Sequence, residues 1–323
     1  MYAADMHCDT ISKLYYSRKK GEQGNLLSNS FQVDIEKLQK GNYLLQNFAV
    51  FVDTELEKHP YQCAKEQIAL FEREMEFNRK QIRQVKTLEE IEENRKAGRI
   101  SAVLTLEEGE ICEGDLQKLE EFYHKGVRMM TFTWNHVNSL AVTEGLTEKG
   151  IAFLEKMENL GIVADVSHLW DVGFYDVCHY STKPFVASHS NARALCRHKR
   201  NLTDDMIRKI AEKGGIIGIN YYSLFLEPIS CSDPKEKEKI SKYYNSRIER
   251  IADHIFYIRQ IGGSNCVALG SDFDGIDCEL EMQDCSRIEM LEWELRKRGL
   301  TEREVEDIFY RNVLRVYKEC WKN

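Results

Sequence analysis

His7 and Asp9 stand two residues apart in the opening stretch Asp5-Met6-His7-Cys8-Asp9-Thr10. In an extended segment such residues share a face, so an imidazole and a carboxylate would point the same way at the end of a strand. That is half of a metal site, and alone it carries little. Four other apolar runs end in comparable residues: Leu106-Glu107-Glu108-Gly109, Val166-Ser167-His168, Ala187-Ser188-His189-Ser190 and Gly270-Ser271-Asp272-Phe273-Asp274-Gly275. Singly, each has a plainer reading, as a hydrogen-bonded structural His or an acid at a helix entry. Together they gather three His and at least two carboxylates at the ends of five runs, which independent accidents would not do. Nitrogen and oxygen donors suit zinc, and also manganese, iron or cobalt. Five ligands exceed one tetrahedral zinc with an open position. They suit two metals about 3.5–4 Å apart that share a carboxylate and a water. Such a pair acidifies the bridging water to hydroxide near neutral pH and polarises a carbonyl, which is hydrolytic chemistry. Cys8 alternates away from His7 and Asp9 and reads as packing. Asp272-Phe273-Asp274-Gly275 lacks the spacing of a calcium loop.

Chemistry at run ends requires a scaffold that brings those ends together. Eight apolar runs recur: Ala3–Cys8, Leu44–Val52, Ile100–Leu106, Val127–Thr133, Gly161–Val166, Pro184–Ser188, Gly215–Asn220 and Cys266–Gly270. Most are continuous rather than alternating, as in strands buried on both faces of a parallel sheet. Helical periodicity fills the gaps at Leu116–His124, Glu148–Leu160, Asp171–Tyr180, Asp204–Lys213 and Tyr243–Ile261, then at Ile288–Lys297 and Glu302–Cys320. Tyr61–Gly98 reads as a solvated helical hairpin between the second and third strands. Thr147 and Thr203 are N-cap candidates. Gly126, Gly161, Gly214 and Gly262 are candidates for the left-handed residue that stops a helix. Eight strands alternating with helices is the count of an α/β (β/α)8 TIM barrel, whose chemistry sits at the C-terminal strand ends. A doubly wound open sheet is second choice, since no Gly-rich dinucleotide fingerprint follows the first strand.

The 323 residues, 42% hydrophobic, suffice for a large core, and no Pro/Gly/Ser-rich linker divides them, so residues 1–323 read as one domain. A net charge of −8 without a long basic run argues against nucleic acid as a partner. No stretch approaches the roughly 20 apolar residues of a membrane span. The start lacks the basic and apolar regions of a secretion signal, so a cytoplasmic location is expected. The ten cysteines form no C-x-x-C pair and are expected as reduced thiols.

The ordered set H-C-D, L-T-L-E-E-G, V-S-H, S-H-S-N-A-R and G-S-D-F-D-G closely resembles the membrane (renal) dipeptidase family, peptidase family M19, over essentially the whole chain, and its soluble bacterial members most. The resemblance implies a barrel of the metal-dependent amidohydrolase type with two zinc ions. It implies His7 and Asp9 on one, His168 and His189 on the other, and Glu107 between them, with Glu108 standing where the family usually has Gly. It further implies Asp272 as the proton carrier and a homodimer. Arg200, in Arg200-Asn201-Leu202-Thr203-Asp204-Asp205, matches the family's arginine for the substrate's terminal carboxylate. Arg193 is the lesser candidate. The chain departs from the animal enzymes after the fourth strand, where Trp134 replaces a His that contacts the scissile carbonyl. Asn135 or His136 could then donate to the oxyanion. The implied substrate is a dipeptide. A related amidohydrolase acting on another small carboxylate-bearing amide or lactam, or a barrel that has lost catalysis, are the rival readings.

Overall fold

Runs of Val, Ile, Leu, Ala and Met leave no polar face to turn to water, so their strands must be covered on both sides. In the computed structural model, which describes residues 1–228 and 245–322, they form eight short parallel strands. These are β1 (Ala3–Asp5), β2 (Tyr43–Phe51), β3 (Ile100–Glu107), β4 (Val127–Thr131), β5 (Val163–Asp165), β6 (Val186–Ala187), β7 (Ile216–Ile219) and β8 (Val267–Leu269). Each pairs with its neighbour in sequence, and β1 pairs with both β2 and β8, so the sheet closes. The fold is a (β/α)8 TIM barrel. Strand side chains such as Phe48, Leu104, Met130 and Ile217 are fully buried, each contributing roughly 1.5–3 kcal/mol through apolar area removed from water.

Two ends of the barrel differ in chemistry. Val163, Val186 and Ile216 at strand starts pack with Val313, Val316 and Tyr317 of the C-terminal helix Asn312–Cys320. That helix closes one end. The opposite end carries the polar residues that terminate the strands.

Several local expectations meet the structure directly. Thr147 caps Glu148–Leu160 by accepting from Gly150 N, and Thr203 caps Asp204–Glu212 by accepting from Met206 N. Gly126, Gly161 and Gly214 adopt positive φ. At the fourth site the left-handed residue is Gly263, φ 86°, and Gly262 is the last helical residue of Ile248–Gly262. The start of the expected Tyr243–Ile261 helix, Tyr243 and Tyr244, lies outside the described residues, as does Cys231. All nine described cysteines are free thiols. No helix among the described residues is long and apolar enough to cross a membrane.

The expected hairpin over Tyr61–Gly98 is more than two helices. Between helices Pro60–Phe77 and Leu88–Lys96, the short strand Ile82–Gln84 pairs in parallel with Ile100–Ala102. β3 begins before β4, whose first partner is Leu104, so the early residues of β3 have a free edge that this strand covers. Backbone donors and acceptors there would otherwise lack partners.

Candidate metal centre and active site

The barrel brings five of the polar strand ends to one place. His7 follows β1, and its Nε2 lies 3.3 Å from Asp9 Oδ2, 3.3 Å from Glu107 Oε2 and 3.8 Å from Asp272 Oδ1. The other oxygen of Glu107, Oε1, lies 3.0 Å from His168 Nε2 and 3.6 Å from His189 Nε2. The two imidazoles approach each other at 2.9 Å between Nε2 atoms. All six expected residues therefore face one another, with the carboxylate of Glu107 in the middle. Cys8 points the other way, buried, with its thiol on Asn47 O.

The two adjacent glutamates separate completely. Glu108 sits at φ 92°. Its carboxylate turns from the centre to accept from Glu110 N, Trp134 N and Asn138 Nδ2. It organises the loops after β3 and β4.

The electrostatics of this end are severe. Burial pushes the carboxyls of Glu107 and Asp272 up to about 7, with the Asp9 charge acting in the same direction and His7 opposing it. Burial also works against a charged His7, but the carboxylates of Glu107 and Asp9 hold its pKa well above the ordinary value. His168 and His189 are driven well down, by burial first and then by nearby cationic groups that include Arg200 and His7.

A divalent cation fits these residues on three observations. Ligand atoms of His7, Glu107 and His189 lie within 4.8 Å of one another, and so do those of His7, Asp9 and Asp272. Asp9 Oδ1 is buried with no hydrogen-bond partner, a costly state for a carboxylate oxygen unless a cation compensates. Finally, a Cβ on Gly275 would lie 2.2 Å from Asp9 Oδ2 and 2.7 Å from Asp272 Oδ1. Only glycine lets the carboxylates come this close to the backbone.

Around the centre, Asp272 adopts φ 61° and accepts from Asn220 Nδ2 at 2.8 Å. Asn220 ends the seventh apolar run and was recognisable only as a polar terminus. Asp5 and Asp165, near the ends of β1 and β5, are fully buried anchors. Asp5 accepts from Ser271 N at 2.8 Å and Ser271 Oγ at 2.5 Å, tying the turn of Asp272 to the strand that leads to His7. Asp165 does the same for the turns of His168 and His189. Neither anchor stands out in sequence.

Arg200 is buried beside the cluster, and burial lowers its pKa to about 10. Its Nη2 donates to His168 Nε2 at 2.8 Å, and its Nη1 is buried without a partner. Arg193 instead forms a two-point ion pair with Asp171, at 2.7 and 2.8 Å, on the surface. Asn135 places Oδ1 3.2 Å from His168 Nδ1, and His136 Nδ1 lies 3.2 Å from Glu55 Oε1. Trp134 packs between Phe51 and His136, its ring centroid 6.4 Å from that of His168.

Comparison with known proteins gives matching results. The family model described as membrane dipeptidase (peptidase family M19) matches residues 1–322. An uncharacterized protein in the pqqA 5′ region of Klebsiella pneumoniae is 31% identical over 275 residues, covering 81% of this chain and 98% of that protein. An uncharacterized dipeptidase of Schizosaccharomyces pombe is 32% identical over 229 residues, 68% of this chain but 53% of that protein. A crystal structure of a metallopeptidase from Rhodobacter sphaeroides, liganded with a phosphinate mimic of the dipeptide L-Ala-D-Ala, superposes with a TM-score of 0.88 at 23% identity, covering 99% of both chains.

Proposed function

Because the chain belongs to the membrane dipeptidase family, peptidase family M19, and is thus a metal-dependent dipeptidase, we propose that it cleaves free dipeptides at a centre for two divalent metals, zinc being the ion the family resemblance implies and the donor set accommodates. The observation that carries this reading is the division of Glu107 between the imidazoles: Oε2 faces His7, and Oε1 faces His168 and His189. A carboxylate divided in this way is suited to bridge two ions. His7 and Asp9 would hold one, and His168 and His189 the other. When bound, the metals supply Lewis acidity, which lowers the pKa of water and polarises the peptide carbonyl.

The chain's own residues do the rest. Asp272 takes a proton from the attacking water and returns it to the leaving amine. Asn220 Nδ2 donates to its Oδ2 at 2.8 Å and fixes its orientation. Arg200 binds the C-terminal carboxylate of the substrate through the unpartnered Nη1. Two anchor points, the metal centre and the guanidinium, limit the length of substrate that can span them. Trp134, in ring contact with Phe51 and His136, stands beside the site, its ring centroid 6.4 Å from that of His168. We place the enzyme in the cytoplasm as a homodimer, the form the family resemblance implies, with no nucleic-acid or membrane partner. The test is a panel of L,L and L,D dipeptides with metal-replete protein. Release of both amino acids supports the reading, and cleavage of N-acylated amides or lactams in preference to dipeptides refutes it.

A further inference from the structure

We propose that Asp165 and Ser188 are positioning residues for the metal centre, holding His189 in the tautomer whose Nε2 is bare through a carboxylate–hydroxyl–imidazole relay. The inference rests on the metal-binding reading above, and it follows from counting protons. Asp165 is 1% exposed. It accepts from Ser167 N at 3.0 Å, Ser167 Oγ at 2.6 Å, Ser188 N at 3.0 Å and Ser188 Oγ. Four donors converge on two oxygens, so Asp165 acts as an acceptor throughout. A serine hydroxyl has one proton. Ser188 Oγ contacts Asp165 Oδ2 and also lies 2.7 Å from His189 Nδ1. If the hydroxyl proton turned to His189, two acceptor oxygens would be left in contact. It therefore goes to Asp165, and Ser188 Oγ must accept from His189. That puts the ring proton on Nδ1 and leaves the lone pair on Nε2.

The consequence reaches across the site. His168 is held in the same state from its own side: Asn135 Oδ1 faces its Nδ1, and Arg200 Nη2 donates to its Nε2. Two unprotonated ring nitrogens then lie 2.9 Å apart, that of His168 accepting from Arg200 and that of His189 without a donor of its own, so a cation binding both must displace the Arg200 contact. The two supports differ in quality. Asn135 is exposed, so water can compete for its bond. The Asp165 arm is buried and charged, and such bonds are the stronger kind. Ser167 adds to it by donating to Asp165 and accepting from His189 N at 3.2 Å. A partner on the far nitrogen of a ligating imidazole fixes the ring and raises its basicity, and losing such partners typically costs 10–100-fold in metal affinity.

The experiment has two arms. In metal-free wild-type protein labelled with 15N-histidine, the ring shifts of His189, identified by their absence in His189→Gln, should show the proton on Nδ1. Finding it on Nε2 overturns the relay. In the second arm, zinc affinity is measured by chelator competition. Ser188→Ala should weaken one of the two metals roughly 10–100-fold and leave the other, and Ser188→Thr, which keeps the hydroxyl, should restore it. A folded Ser188→Ala with wild-type affinity for both metals refutes the relay, and if this variant fails to fold the wild-type spectrum decides. Wild type that binds no metal while His189 carries its proton on Nδ1 would refute the proposed function and leave the relay standing.

Discussion

Arg200 Nη2 donates to His168 Nε2 across 2.8 Å, while Nη1 of the same guanidinium is buried without a partner. A buried donor left unpaired costs about 1–3 kcal/mol, so the structure keeps an unfavourable group beside its most polar cluster. A carboxylate would satisfy it, and hydrogen bonds to charged groups contribute ~1.5–3 kcal/mol each. Arg200→Ala should therefore lower kcat/KM for free dipeptides at least tenfold (~1.4 kcal/mol). Dipeptide amides should be poor substrates of the wild type and lose little further. Equal losses on acid and amide would remove the carboxylate clamp.

Asp272 offers a different test. Replacing it with Asn keeps the shape and the contact to Asn220 but removes the carboxylate proposed to carry the proton. Asp272→Asn should retain its metals and lose roughly 10²–10⁴ in kcat, the size of a general acid–base contribution. Loss of metal from a folded variant would make Asp272 chiefly a ligand.

The paired glutamates should separate in experiment as they do in space. Glu107→Gln should lower metal affinity at least tenfold, within the range expected when one ligand's charge is removed (on the order of 1.4 kcal/mol or more). Glu108→Gln should bind metal normally. It should lower stability by about 1–3 kcal/mol, because an amide cannot accept from all three donors that now converge on the carboxylate. Chemical denaturation and metal analysis of both variants check this. Metal loss in Glu108→Gln alone would reverse the assignment.

Much of this site was legible because a parallel barrel imposes it. Strands buried on both faces read as continuous apolar runs, so the residue ending each run was visible, and His7, Glu107, His168, His189 and Asp272 all lie at such ends. What stayed hidden depends on contacts between distant segments. Ile82–Gln84 is a strand only because β3 starts early and leaves an edge. Asp165 passes unnoticed inside the apolar run Gly161–Val166, because nothing in sequence places Ser188 beside it. Asn135 has the chemistry of an oxyanion donor, yet its oxygen is turned to His168. Glu107 and Glu108 differ by a backbone angle that residue type does not reveal.

His254 predicts part of the acid sensitivity of the fold. It is fully buried. Its Nδ1 accepts from Ala192 N at 3.0 Å, and its Nε2 donates to Leu226 O at 2.9 Å. Only the neutral ring satisfies both partners, and burial lowers its pKa to about 4. Above the ordinary pKa of about 6.5 the ring is neutral in both folded and unfolded chains and contributes no pH dependence. As pH falls from there towards 4, the unfolded chain takes up the proton first, so stability falls, by about 2 kcal/mol at pH 5. Urea denaturation at pH 7.5 and pH 5 should show this fall in the wild type and a shallower one in His254→Gln. Identical slopes would contradict it.

The central claim is that two metals held around Glu107 make this barrel a dipeptidase. Titrating metal-free protein with zinc while following dipeptide hydrolysis tests it in one measurement. Activity should rise from near zero and level off at about two equivalents per chain. Activity that levels off at one equivalent would contradict the paired centre, and no dipeptide hydrolysis at any zinc level would contradict the function.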